Sequence, residues 1–225
     1  MDFSIIANEY PCYLEGLWTT TWLVTLSLLA GLLIAIPLGI LSSAKNKLIQ
    51  FPIWAYMYFF RGSPLLVQLF IIYYGAAQFE WLRESWMWHY FSKAWFCALF
   101  AFTLNTGAYT AEIVRGVIAS MPKGEIEAAK AYGMSKWQRL RRVILPNSLR
   151  RALPAYSNEI IFMIHGSAIA GIVTIVDITG AARVVSSRYY APLEAYFSAA
   201  VLYMCLTFTV IFVFKQWEKH FHIKS

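Results

Sequence analysis

Two ionised side chains interrupt long apolar runs, and they carry the clearest chemical meaning in the sequence: Arg61 within 51–79 and Glu159 within 152–173. A charge at the centre of a bilayer costs roughly 2.5–3.5 kcal/mol on insertion scales, so each requires a partner or a ligand. Arg61 stands ten residues beyond Phe51. That is roughly 15 Å along a helix, half of a hydrocarbon layer about 30 Å thick. Glu159 lies in the first half of its own run, so the two can share a depth. One reading makes them an ion pair, or pairs each with backbone carbonyls. Another makes them a solute site, with Glu159 taking a cationic group and Arg61 receiving or favouring a carboxylate. Both readings stand for Arg61. For Glu159 the solute reading is the expectation, because an acid suits a basic ligand. Asn158, Gln68 and Tyr74 are candidate polar neighbours, although hydrogen-bonding glue between helices is the favoured reading for each. Covalent chemistry finds no support: Glu159 and His165 are six residues apart, so on one helix they point to different faces, and no metal-ligand or nucleophile–base spacing occurs.

The elements that must position these charges follow from composition. Of 225 residues, 59% are hydrophobic and only 14% charged, with a mean hydropathy of +0.53. Soluble domains carry about 25% charged residues, so a soluble enzyme, a disordered regulator and a disulfide-stapled module are excluded. The class that remains is an all-α integral membrane protein. Stretches of about 20 apolar residues predict five transmembrane helices, at 17–43, 51–79, 94–115, 152–173 and 194–214, in one domain covering 1–225. The first 44 residues hold no Lys or Arg, so a cleavable signal is not expected and the first apolar run should stay. Cys12, Cys97 and Cys205 are too dispersed for a disulfide framework or a zinc site.

The net charge of +7 is a topology signal rather than a nucleic-acid footprint. Lys45, Lys47, Arg115, Lys123, Lys130, Lys136, Arg139, Arg141, Arg142, Arg150, Arg151, Lys215, Lys219 and Lys224 fall on one side of the spans, against Arg83, Lys93, Arg183 and Arg188 on the other. The basic side is cytoplasmic, which puts the N-terminus outside and the C-terminus inside. Trp81, Trp86, Trp88 and Trp95 suit an aromatic belt at the outer interface.

One connection, 116–151, is long enough to expect a task of its own. Pro122 and Gly124 break the chain before a short helix over 125–132, Gly133 sits where a left-handed C-terminal residue belongs, and Ser135 can cap a basic helix that Pro146 ends. Ala128 and Ala129 flatten one face of the first helix, which suits docking into another protein's groove. Anionic lipid headgroups against Lys136, Arg139, Arg141 and Arg142 are the plainer use of the second.

Here the residues carry a resemblance. Glu127-Ala128-Ala129, then Gly133, Val143, Leu145 and Pro146 resemble the EAA loop of ABC importer permeases, departing only in having Val143 where that family has isoleucine. Phe60-Arg61-Gly62-Ser63-Pro64, Asn105-Thr106-Gly107-Ala108-Tyr109 and Leu153-Pro154-Ala155-Tyr156-Ser157-Asn158-Glu159 extend the likeness to the polar amino acid permeases. The resemblance implies a type I importer fold in a bacterial inner membrane, with alternating-access transport of polar, basic amino acids. It also implies a second permease subunit, two ATP-binding subunits and an extracytoplasmic solute-binding protein. Glu125, Glu127, Ala128, Ala129, Gly133, Leu145 and Pro146 would then couple to the ATPase. None of the glycines is followed by Lys, so no phosphate loop exists and ATP is expected to bind the partners, with no cofactor in this chain. The competing reading is a membrane scaffold that recruits cytosolic proteins through 116–151 without transporting anything.

Overall fold

A computed structural model describes residues 4–43 and 46–220, so Lys45 and Lys224 of the charge census lie outside the described residues. Among the described residues every regular element is helical. A short α1 (Ser4–Asn8) leads into α2 (Tyr10–Leu41), and α3 (Lys47–Gly62) follows the first turn. Next come α4 (Leu65–Phe70) with a π-turn at Ile71–Gly75, the small α5 (Glu80–Arg83) and α6 (Trp88–Phe91), and α7 (Ala94–Ala119). The loop helices are α8 (Lys123–Ala131) and α9 (Lys136–Arg139). A second π-turn joins α9 to α10 (Leu145–Gly166), and after a 3₁₀ segment at Ser167–Val173 come α11 (Ile178–Tyr189) and α12 (Pro192–His220).

Helices α2 and α12 are long and apolar enough to cross a membrane unaided. Two bent pairs also qualify: Lys47–Gly62 with Leu65–Gly75, at 106°, and Lys136–Val173 with Ile178–Tyr189, at 50°. The run 51–79 is therefore not one straight rod. Outward-facing Leu33, Phe51, Trp18 and Phe212 are all more than 60% exposed, a surface that water would not tolerate and lipid would.

The core forms where α2, α4, α7 and α10 meet, around Leu23, Leu69, Phe102 and Met163. Along the α2–α7 seam, glycine is required by proximity. A Cβ at Gly31 would stand 2.6 Å from Thr106 Cγ2, and one at Gly39 2.7 Å from Val114. Small residues of this kind let membrane helices touch through their backbones. Small residues between 166 and 171 also pack inside the chain, with Ser167 and Ala170 fully buried. Asp177 is also fully buried. It caps α11 by accepting from the Gly180 N–H at 2.8 Å and accepts from the Tyr203 hydroxyl at 3.1 Å. At the start of the chain, Glu9 accepts from Tyr189 at 2.8 Å and from Arg188 at 2.6 Å. Those two donors, the tyrosine foremost, hold its carboxyl below the ordinary carboxylate range.

The loop follows its local code, with one exception. Gly133 adopts φ 73° and closes a C-terminal turn in which Met134 N–H reaches Ala129 O at 3.1 Å and Gly133 N–H reaches Lys130 O at 2.9 Å. Ser135 and Gln138 form a reciprocal capping box for α9. Pro146 does not end the basic helix. The π-turn lets Leu145 N–H bond Leu140 O five residues back, and Pro146 sits in the first turn of α10, where its missing N–H costs nothing. Nothing lies within 4 Å of a Cβ built on Gly133, so the constraint there is the backbone alone. Gly133→Val is expected to lose about 1–3 kcal/mol locally, and Gly133→Asn much less, because asparagine tolerates the left-handed region. Uptake by the assembled protein should follow the order Gly, Asn, Val at equal membrane levels; equal uptake for Val and Gly would show that the turn is not used.

Candidate functional site

The site is built around the break in the α3–α4 pair. Helix α3 stops at Gly62; Ser63 and Pro64 are extended, with ψ of 145° and 134°. Such a break frees backbone carbonyls at a depth where water is scarce, and each one left unpaired is expensive. Gln68 resolves this. Its side-chain amide donates to Phe60 O at 2.8 Å, Ser63 O at 3.0 Å and Ser63 Oγ at 2.9 Å. Asn105 of α7 completes the clamp, donating to Phe60 O at 3.2 Å and to Gln68 Oε1 at 3.0 Å. Gln68, a candidate polar neighbour of the solute or glue between helices, is buried, and its amide is engaged in holding the bend.

Beside the clamp lies a cavity of about 360 Å³ lined by Leu65, Asn105, Tyr109, Glu159, Phe162 and Gly166. Glu159 is only 6% exposed. Its carboxyl has the Thr106 hydroxyl as a neighbour, and that hydroxyl is buried with no completed hydrogen bond. The bend is what brings Leu65 here, since a Cβ on Gly166 would touch Leu65 Cδ2 at 3.3 Å. A buried carboxylate with one hydroxyl beside it is poorly compensated, and a cationic ligand is the chemistry that would offset its desolvation.

Arg61 does not pair with Glu159. Its NH1 stands 3.4 Å from Glu112 Oε2, and Arg115 grips the same carboxylate with Nε at 2.9 Å and with NH2. Glu112 and Arg115 thus pair at i, i+3, with Arg61 added as a third member. Tyr109 joins this triad to the cavity. The Arg61 guanidinium lies 5.7 Å from the Tyr109 ring centroid, and the Tyr109 hydroxyl donates to Arg61 O at 3.2 Å. Asn158 is exposed and Tyr74, 54% exposed, packs on Phe70 and Tyr73; neither is among the residues that line the Glu159 cavity. His165 is exposed and hydrogen-bonds Thr207 at 3.2 Å. Tyr109 and Phe162 were not singled out from the sequence. The signal was available for the first: Asn105, Tyr109 and Glu112 recur at helical spacing on one face of α7.

On the 116–151 loop, Glu127 and Ala128 point outward while Ala129 is buried. Glu125 turns inward. Its Oε2 accepts from Asn147 at 2.8 Å and its Oε1 from Arg151 at 3.1 Å, which ties α8 to the first turns of α10. Leu145 and Pro146 belong to α10 itself.

A broken apolar helix around a buried carboxylate, an outer surface suited to lipid and a rigid turn on one end together describe a membrane permease subunit. The chain belongs to the family of inner membrane components of binding-protein-dependent transport systems, whose profile matches residues 35–222. It is 40% identical to the nopaline transport system permease protein NocM of Agrobacterium fabrum, over 100% of this chain and 95% of that one. With the histidine/lysine/arginine/ornithine transport system permease protein HisM of Escherichia coli it shares 44% identity, over 93% of this chain and 89% of HisM. Among solved structures, an amino acid ABC transporter crystallised with histidines superposes with a TM-score of 0.87 at 30% identity, over 98% of this chain and 99% of the other. A MetNI methionine transporter in an inward-facing form gives 0.79 at 20% identity, over 93% and 95% of the two chains, which supports the type I importer fold.

Proposed function

We propose that this chain is the permease subunit of an ATP-driven importer of polar amino acids with a basic side chain, and that Glu159 receives the substrate's cation. The observation that carries this is the buried, weakly compensated Glu159 carboxylate on the wall of the cavity beside the helix break. The names of the relatives support the substrate class: lysine, arginine and ornithine, three solutes in the name of HisM, carry a side-chain cation. Five spans, with the N-terminus outside and the C-terminus cytoplasmic, complete the reading. They are α2, the bent α3–α4 pair, α7, α10 with its 3₁₀ extension, and α12. Two ATP-binding subunits sit beneath, a second and homologous permease subunit lies alongside, and a solute-binding protein delivers substrate from outside. The chain itself performs no hydrolysis. Closure of the ATPases pushes α8, and α10 carries the motion to Glu159.

Glu159→Gln in the assembled importer, reconstituted in vesicles, is expected to lower uptake of arginine or lysine roughly 10- to 100-fold, the scale of a lost charge-assisted hydrogen bond. A neutral analogue of the same size should lose far less. Equal losses for both would make Glu159 a structural residue, and no uptake by the parent complex would favour a scaffold.

A further inference from the structure

A second cavity, of about 290 Å³, includes Arg61, the residue that Tyr109 of the Glu159 cavity contacts. Ser42 and Gln50, at the turn between α2 and α3, line one end, and Arg61, Glu112 and Arg115 line the other. The turn itself is fixed by a hydrogen bond from the Gln50 amide to Ser42 O at 3.1 Å. From Gln50 to Arg61 the cavity follows α3 for eleven residues, roughly 16 Å. Its volume approaches the lower end, about 300 Å³, of sites that take small ligands. The cavity is strongly charged: two guanidinium groups face one carboxylate, and all three remain about a quarter to two-fifths exposed. Arg115 holds Glu112 bidentately, so Arg61, at 3.4 Å, is the loosely paired cation.

We infer that this cavity is an inner subsite for the zwitterionic head of the amino acid, with its α-carboxylate taken by Arg61 and Arg115 and its α-ammonium by Glu112. The inference rests on the transport reading above and adds a subsite that Glu159 does not supply. The two subsites address different parts of one molecule: Glu159 meets the side-chain cation, and the triad meets the groups that every α-amino acid shares. Tyr109, bonded to Arg61 and part of the Glu159 wall, links them. Passage inward exchanges the Arg61–Glu112 pair for pairs with the substrate, so no charge is left bare as the protein pair opens.

The test compares vesicle uptake of arginine, argininamide (no carboxylate) and the deaminated analogue 5-guanidinopentanoate (no α-ammonium) by the complete importer. The parent should prefer arginine to both. Arg115→Gln is expected to lower arginine uptake about tenfold with argininamide unchanged, so that the preference for the carboxylate disappears. Glu112→Gln is expected to erase the preference for arginine over 5-guanidinopentanoate and to leave that analogue's own rate unaltered. Glu159→Gln, by contrast, lowers all three together, because all three keep the guanidinium. Uniform losses in either triad variant at equal assembly, or no change in either, overturn the subsite. A flat response to Glu159→Gln with the triad effects intact removes the outer reading and leaves this one standing.

Discussion

Replacing Gln68 by leucine is expected to lower the melting temperature of the detergent-solubilised chain by about 5–15 °C. Interhelical side-chain hydrogen bonds in membranes average only about 0.6 kcal/mol, because an unfolded helix in lipid finds other partners. Gln68 differs because its acceptors, Phe60 O and Ser63 O, are backbone carbonyls at a break, with no helical donor. Leucine fills the same space and donates nothing. Ser63 O is left bare, Phe60 O keeps only Asn105, and Asn105 loses an acceptor of its own. At about 1–3 kcal/mol for each buried polar group left unsatisfied, the sum is about 2–5 kcal/mol. For a chain of this size each kcal/mol moves the melting point by about 2–4 °C. An unchanged melting curve would mean that water, not Gln68, satisfies the bend.

The second expected result concerns force rather than stability. Glu125→Ala should leave ATPase subunits co-purifying with the permease and yet cut the solute moved per ATP hydrolysed by about tenfold. The reason is the path of the bonds. Glu125 on α8 is joined to Asn147 and Arg151 on α10, and Glu159 follows on that same helix, eight residues beyond Arg151 or roughly 12 Å. Without the pair, α8 can be pushed while α10 stays behind. The charge-swapped double variant Glu125→Arg with Arg151→Glu should recover much of the coupling, and the double-mutant cycle measures how much of it the pair carries. Loss of ATPase binding in Glu125→Ala would instead make Glu125 a direct contact, as the family resemblance implied for it.

How much of this was legible depends on the range of the interaction concerned. The membrane class, the α8 helix, the left-handed Gly133 and the Ser135 cap were readable because each is set by residues within a few positions. The 106° bend was not, although Gly62-Ser63-Pro64 marks a break, because its angle depends on Gln68 and on Asn105 from another helix. Arg61 and Glu159 were suspected of pairing on depth alone. Depth says nothing about rotation, and α3 meets α7 at Glu112 instead. Pro146 was read as a stop because a proline ordinarily ends a helix; a π-turn just before it absorbs the mismatch. The buried role of Asp177 was not legible, because one of its partners, Tyr203, comes from another helix.

The glycines that set α2 against α7 also decide what is able to move. With Gly31 and Gly39 pressed to within van der Waals reach of Thr106 and Val114, neither helix can slide or roll without collision, so the two behave as one spar. Any rearrangement of the bundle must therefore be taken up elsewhere, where helices are joined by turns rather than pressed backbone to backbone: a stiff mast, with movement left to the rigging.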